Sequence, residues 1–260
     1  KNKDLLKLLE NIKEEEDQTP QTESSNRILI IDGLNLFLRN FAVLNYINQK
    51  GTHIGGLGGF LRSLGAYVKQ LQPTSIYIVF DGLASSTSRK NLVPEYKSGR
   101  YQTRITNFNS FSNLEEEHEA KANQISKLVD YIKCLPVNII CVDKVEADDV
   151  MAFLSEQTTI KNPKSKAYII SADNDFLQLV NEQITIYRPI EKEFFTPNKV
   201  KEKFGVYPHN FLTYKTLIGD KSDKVGGVKG LGFGKLEKLF PELLLLEDKI
   251  TLDHIYNICE

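Results

Sequence analysis

Nine carboxylates are placed where short apolar runs of this chain stop. ILIIDG ends at Asp32 and SIYIVFDG at Asp81; VNIICVDKVEADDV carries Glu146, Asp148 and Asp149; AYIISADND carries Asp173 and Asp175; and Asp220 and Asp223 follow in GDKSD. Runs so rich in Val and Ile, bounded by turn residues, read as strands buried on both faces. In an open parallel sheet the carboxyl ends of the strands line one crevice, where ligands bind. Four separate strands therefore deliver acids to one place. Like charges crowded into a partly desolvated crevice disfavour each other's ionised forms, so the set calls for counter-charge. Every candidate ligand is an oxygen and no histidine lies near any of these positions, which argues against zinc and for Mg²⁺ or Mn²⁺. Two such ions roughly 3.5–4 Å apart can activate a water and stabilise the leaving oxygen in an in-line displacement at phosphorus.

The local spacing supports this chemistry. Glu146 and Asp149 are three apart and share a face where a helix starts, while Asp148 turns away by about 100° per residue. Asp173 and Asp175, two apart, project together from a strand end. Asp32 and Asp81 each precede a glycine, whose missing side chain is expected to let a ligand come close. Each position also has a structural explanation, because Asp-Gly marks turns and an acid at a helix start meets the helix dipole. Acids after four successive strands are not explained by turns alone.

The elements that must position them alternate strand and helix from Arg27 onward. A helix from about Leu34, a Gly-rich turn GTHIGGLGGF and a helix to Gln70 precede SIYIVFDG. A segment from about 83 to 121 has weak periodicity and clustered positive charge, and reads as an insertion. A helix over Ala122–Leu135 leads to VNIICV, then come a helix from about Asp148 to Gln157, AYIISAD, a short helix DFLQLV and the strand ITIYRP. The fold class is α/β: a doubly wound, mainly parallel sheet with right-handed crossovers. Beyond Thr196 strands are expected to cease in favour of helices with glycine turns. Residues 1–26 form an amphipathic helix, with Leu5, Leu6, Leu8, Leu9 and Ile12 on one stripe, and an acidic, polar strap expected to dock on the parent domain. The expected domains are thus 1–26, 27–195 and 196–260.

With 260 residues, 41% of them apolar, the chain can fill a real core, and its net charge of −1 excludes a uniformly basic coat. Cys134, Cys141 and Cys259 show no metal-type spacing, and the first two lie in or beside apolar runs that suggest burial. A reduced, intracellular setting follows. No stretch is long and apolar enough to span a bilayer. GTHIGGLGGF lacks the lysine and hydroxyl residue of a nucleotide P-loop. His53, His118, His209 and His254 are scattered and receive no role.

IDG, FDG, VEADDV, SADNDF and GDKSDKVGGVKGLG, in that order and spacing over about Arg27 to Leu239, resemble the 5′-nuclease superfamily of flap endonucleases and 5′-3′ exonucleases, most closely the tailed-phage RNase H branch. The resemblance implies a PIN-like sheet and two metal ions. Asp32, Asp81, Glu146 and Asp148 would serve the first ion; Asp149, Asp173, Asp175, Asp220 and Asp223 would surround the second. It implies that the insertion is a helical arch, in which EYKSGR places Lys97 and Arg100 over the scissile phosphate as catalytic residues beside Asp81, Glu146 and Asp148. Tyr96 would stack a displaced base, and Arg89, Lys90 and Arg104 would add phosphate contacts. GDKSDKVGGVKGLGFGKLEKLF resembles a helix-hairpin-helix, in which Gly227, Gly230 and Gly232 with Lys224, Lys229 and Lys235 grip duplex DNA, with K⁺ held by backbone carbonyls. The Gly-rich segment after residue 50 would lie near the substrate junction. Implied partners are branched or 5′-ended duplex DNA and RNA-DNA primers, with a single-strand-binding protein or sliding clamp as recruiter; no membrane is involved, and a monomer in the cytoplasm of a phage-infected bacterium is expected. The alternatives are a non-catalytic junction-DNA-binding protein and a PIN-type ribonuclease.

Overall fold

The computed structural model describes residues 26–98, 103–245 and 248–259. The amino-terminal helix and strap expected before residue 26 lie outside them, as does Arg100. Six strands form one sheet: β1 (Arg27–Asp32), β2 (Ser75–Asp81), β3 (Asn138–Val142), β4 (Lys166–Ile170), β5 (Ile184–Arg188) and β6 (Glu193–Phe195), in the order β3-β2-β1-β4-β5-β6. All neighbours are parallel except β5 and β6. That order reverses between β1 and β4, the switch point at which a doubly wound sheet opens a crevice.

The centre of the sheet follows from the apolar run at β1. Ile28 and Ile30 pack on one face with Met151 and Phe176, and Leu29 and Ile31 on the other with Phe37 and Leu128. Helices α1 (Gly33–Val43), α2 (Gly55–Leu71) and α4 (Leu114–Ile132) cover the second face; α5 (Ala147–Lys161) and the 3-10 helix Asn174–Leu179 cover the first. Among the described residues between β2 and α4, the short α3 (Thr87–Leu92) is the one helix. After β6 come α6 (Pro197–Phe204), α7 (Phe211–Ile218), the two-residue strands β7 (Gly219–Asp220) and β8 (Val225–Gly226), α8 (Phe233–Leu239), α9 (Pro241–Leu245) and α10 (Leu252–Cys259). Val200, Phe211, Leu217, Leu236, Phe240 and Ile255 join the same apolar cluster as Ile28 and Ile30.

Several expectations are corrected. Burial on both faces fails at β3, the edge strand, where Cys141 and Val142 are exposed; Cys134 is exposed as well. An edge strand has a single neighbour and the covering helices sit over the middle of the sheet, so apolar residues at the edge remain in water. Strands do not cease at Thr196, since β7 and β8 pair beyond it, and β6 was not foreseen; elements of two or three residues carry no periodicity to read. The helix expected from Ala122 begins at Leu114, capped by the Asn113 side chain on Glu116 N. Its charged first turn masks the pattern, although Glu117 is fully buried and accepts from Thr106 N and Asn107 N at 2.9 and 3.0 Å. Glu117 thereby ties the end of the insertion to α4.

The Gly-rich segment is a turn only over residues 51–54, and from Gly55 onward it is the first part of α2. A Cβ on Gly56 would stand 2.5 Å from the Phe37 ring and one on Gly59 2.5 Å from Leu44, so these glycines let α1 and α2 pack closely. The glycine after Asp81 likewise serves the protein's own backbone: a Cβ on Gly82 would lie 2.1 Å from the Val142 carbonyl oxygen, and one on Gly33 2.6 Å from the Phe80 ring. Gly82→Ala must push the end of β2 away from β3, at a cost of about 3 kcal/mol. We expect a Tm drop of roughly 6–12 °C by calorimetry; an unchanged Tm would show that the two strand ends tolerate separation. Among the described residues no helix is long and apolar enough to cross a membrane.

Candidate active site

The acids expected at the strand ends do converge. Asp32 closes β1 and caps α1, its Oδ1 accepting from Asn35 N at 2.9 Å. Asp81 closes β2, and its Oδ1 accepts from Ala147 N at 2.9 Å, which ties the first residue of α5 to the sheet. Asp173 follows β4 and caps the 3-10 helix through Asp175 N at 2.9 Å. Burial pushes the Asp148 carboxyl up to about 7, with Asp32, Asp173 and Asp81 adding repulsion. Burial similarly lifts Asp32 to about 6, reinforced by Asp81 and Asp173 and opposed by the Asn35 N–H. Asp173 is raised by burial, with the Asp175 N–H opposing and the Asp175 charge reinforcing the shift. These four carboxylates share one field, which is the physical content of convergence.

Glu146 is the buried member, with its side chain 4% exposed. Its Oε2 accepts from Lys97 Nζ at 2.9 Å and Tyr96 Oη at 3.1 Å, and pairs with Arg89 at 2.9 Å. Burial alone would lower the Lys97 pKa, but the bond to Glu146 outweighs it and the ammonium is held more tightly than usual. Glu146 Oε1 is buried without a hydrogen-bond partner, and a buried carboxylate oxygen without a donor is costly. Arg89 also donates to Asp149 at 2.7 Å, so Glu146 and Asp149 share a face, as their spacing requires, while Asp148 turns to the other acids.

A second group forms where the chain returns after α7. Single carboxylate oxygens of Asp175, Asp220 and Asp223 lie within 4.8 Å of one another. Asp220 Oδ1 accepts from Ser222 N at 2.7 Å and Asp223 N at 3.3 Å, which shapes the turn between β7 and β8. Lys215 of α7 bridges Asp175 and Asp220. Its ammonium, partly opposed by burial of the carboxyl, holds Asp220 below the usual carboxylate range. Sequence reasoning passed over Lys215; the available signal was a single charged residue in the helical run FLTYKTLI, five before Asp220.

The oxygen-only donor set and the orphaned Glu146 Oε1 fit divalent-metal binding. Asp32, Asp81 and Asp148 share a field on the β1–β2 side, and Asp175, Asp220 and Asp223 lie on the α7 side, with Asp173 coupled to both; Glu146 lines the groove with Asp148 and the second group, and Asp149 stands at the rim with Arg89.

The cationic and aromatic candidates are distributed differently from expectation. Tyr96 is 7% exposed, with its hydroxyl on Glu146, so its ring supports Lys97 and is not open for stacking a base. Arg89 turns into the crevice and not outward. Lys90 and Arg104 are exposed. Lys97 has φ 52°, a left-handed conformation uncommon for a residue with a side chain, and its N–H bonds Asp223 O at 3.2 Å. The strained turn aims its ammonium at Glu146. Gly227 packs against its own chain, where a Cβ would meet Gly219 N at 2.3 Å, while Gly232 faces open space and Gly230 has φ 79°. Lys224, Lys229 and Lys235 are exposed around them.

Residues 27–205 match the family model described as the 5′-3′ exonuclease, N-terminal resolvase-like domain. The chain is 32% identical over 206 residues to a 5′-3′ exonuclease of Aquifex aeolicus, covering 79% of this chain and 65% of that one. It is 31% identical over 241 residues to the thermostable DNA polymerase I of Thermus caldophilus, covering 91% of this chain and 26% of the polymerase. The chain therefore spans just under two thirds of the first relative and about a quarter of the second. In fold it is similar to the bacteriophage T5 flap endonuclease, solved as a pseudo-enzyme-product complex with DNA and metal ions, at TM-score 0.66 and 19% identity over 90% of this chain and 84% of that one. A doubly wound sheet with acids at its switch point, and a family match across more than half of the sequence, together establish that this chain belongs to the 5′-3′ exonuclease family.

Proposed function

We propose that this protein is a divalent-metal-dependent, structure-specific 5′-nuclease. It hydrolyses phosphodiesters at 5′ ends or flap junctions of DNA, and of RNA primers annealed to DNA, in the primer or flap removal that accompanies replication. The observation that carries this reading is the convergence of Asp32, Asp81, Asp148 and Asp173 at the strand ends, where burial and mutual repulsion raise Asp148 to about 7 and Asp32 to about 6. Two Mg²⁺ or Mn²⁺ ions fit the donor set: Asp32, Asp81, Glu146 and Asp148 would hold the first, and Asp149, Asp173, Asp175, Asp220 and Asp223 would surround the second. When bound, such ions lower the pKa of an attacking water and offset charge on the leaving oxygen.

The chain's own residues do the rest. Asp81, through Ala147 N, fixes the start of α5 and so the bearing of Asp148. Lys97, held on Glu146 by its left-handed turn, would stand beside a phosphate bound in this crevice and could neutralise charge that develops on it. Arg100, on the same insertion, would act beside it. The insertion between β2 and α4, from about residue 83, serves as an arch over the single strand. The lobe from 196 grips duplex through Gly230, Gly232, Lys229 and Lys235, with K⁺ as a candidate at the hairpin. A single-strand-binding protein or sliding clamp is the expected class of recruiter, and the setting is intracellular.

The test is cleavage of matched 5′-flap, nicked, single-stranded and RNA-primed duplex substrates with Mg²⁺. We expect the flap and primed duplexes to be cut at least about tenfold faster than the single strand, with binding that weakens steeply as salt rises. Binding without turnover at any cation concentration would leave a junction-binding protein; equal cutting of unpaired RNA would favour a PIN-type ribonuclease.

A further inference from the structure

A groove of about 410 Å³ opens from the acidic centre and runs between α5, the 3-10 helix and α7. Its character changes along its length in the same way on all three walls. On α5, Asp149 is followed one turn later by Ala152; on the 3-10 helix, Asp175 is followed one turn later by Gln178 and Leu179; on α7, Lys215 is preceded one turn earlier by Leu212. Each step leads away from the crevice. The charged rim and the uncharged end are therefore separated by one helical turn, about 5 Å, comparable to the reach from a phosphate across its sugar to the base.

The uncharged end is open to solvent. Leu212 is 59% exposed although it stands on a helix whose opposite side, at Phe211 and Leu217, is buried in the core. Phe176 closes the floor; on the walls the Thr216 hydroxyl donates to Leu212 O at 2.9 Å and Gln178 Nε2 to Asp175 O at 2.8 Å, which leaves the hydroxyl lone pairs and the Gln178 amide oxygen as acceptors. A cationic or anionic group gains nothing there. A flat, neutral heterocycle with hydrogen-bonding edges gains both apolar contact and polar partners, and apolar side chains against a base face are a recognised way to hold an unstacked nucleotide. The volume is in the range of small-molecule sites.

We propose that this groove is a nucleoside subsite: it takes the base and sugar of one nucleotide flanking the scissile phosphate, while that phosphate remains at the acidic end. The inference rests on the nuclease reading and deepens it, assigning Leu212 and Ala152 a binding role that no acidic motif implies. Because every base has a face and edges, the subsite would hold any of them, in keeping with a site that selects structure over sequence.

Leu212→Glu tests it, since an exposed position tolerates the change and circular dichroism with a Tm verifies the fold. Two flap duplexes are compared with their parent, each carrying an abasic residue on one side of the cut. For one of the two positions we expect the wild type to lose roughly tenfold in kcat/KM without the base. Leu212→Glu should lose as much on the parent duplex, with no further loss when the variant meets the abasic substrate. Equal rates on all three duplexes with the wild type, or additive losses in the variant, would overturn the subsite while leaving the nuclease reading in place. Absence of Mg²⁺-dependent cutting of the parent duplex by the wild type would instead overturn the nuclease reading, and the subsite with it.

Discussion

Asp148→Ala and Asp173→Ala should each lower Mg²⁺-dependent cleavage of a 5′-flap duplex by about 10³-fold or more, because each removes a carboxylate from the centre of the cluster. A bound cation supplies several kcal/mol of transition-state stabilisation, and about 4 kcal/mol is a factor of roughly 10³ in rate. A second readout separates this from mere damage. Asp148 is held up to about 7 by burial and by Asp32, Asp173 and Asp81, so at neutral pH the metal-free protein gains stability when that carboxyl is deleted. Asp148→Ala should therefore raise the metal-free Tm while abolishing most of the rise that Mg²⁺ produces. For Asp173→Ala the gain is offset by the lost cap on Asp175 N, worth about 1 kcal/mol. Activity retained in both variants would dismiss the metal centre; activity lost together with a collapsed Tm would assign these acids to the fold.

Metal-free protein should lose stability as pH rises, and divalent cations should restore it. Asp32 and Asp148 have folded-state values of about 6 and about 7 against an ordinary 3.8. A raised carboxyl means that the folded chain binds more protons than the unfolded one between the two values, so stability declines as pH climbs from about 4 towards 7. Asp220 runs the other way: its value is depressed, and the stability it adds is lost only as pH falls below the ordinary carboxylate value. Between about pH 5 and pH 7.5 the raised pair dominates, at an order of 2–4 kcal/mol, or roughly 5–15 °C in Tm. Titration with Mg²⁺ or Ca²⁺ should raise Tm little at the acidic end and most at the alkaline end, and calorimetry in two buffers should register protons released on binding. A metal-free Tm that stays level or rises over this interval would contradict the shared field of the acids.

The acids themselves were legible from the chain because their signal is local. Each follows a Val- and Ile-rich run, and a strand buried on both faces ends where polarity returns, so Asp32, Asp81 and Asp173 could be placed at strand ends, and Glu146 and Asp148 at a helix start, from spacing alone. The central strands were equally readable, since β1 and β4 have no polar face to confuse the pattern. What the glycines do was not legible. Gly56 and Gly82 lack side chains because Phe37 and the Val142 carbonyl stand against them, and both neighbours come from other elements. For the same reason β3 was misjudged: an apolar run carries no mark of lying at an edge.

What belongs to the linear order of this chain is which side chains can ligate, which runs become strands and where each acid falls along them, because those depend on neighbours within a turn or two. Only the tertiary structure decides which charges meet. Lys215 reaches Asp175 across 40 positions, and Tyr96 and Lys97 close over Glu146 from 50 and 49 positions away. Leu212 faces a groove shared with α5 because the chain returns over the sheet after β6. Coulomb and packing energies depend on distance in space and not along the chain, so the pairing of the cations with the acids, and the open apolar end beside them, appear only once the crossovers have been made.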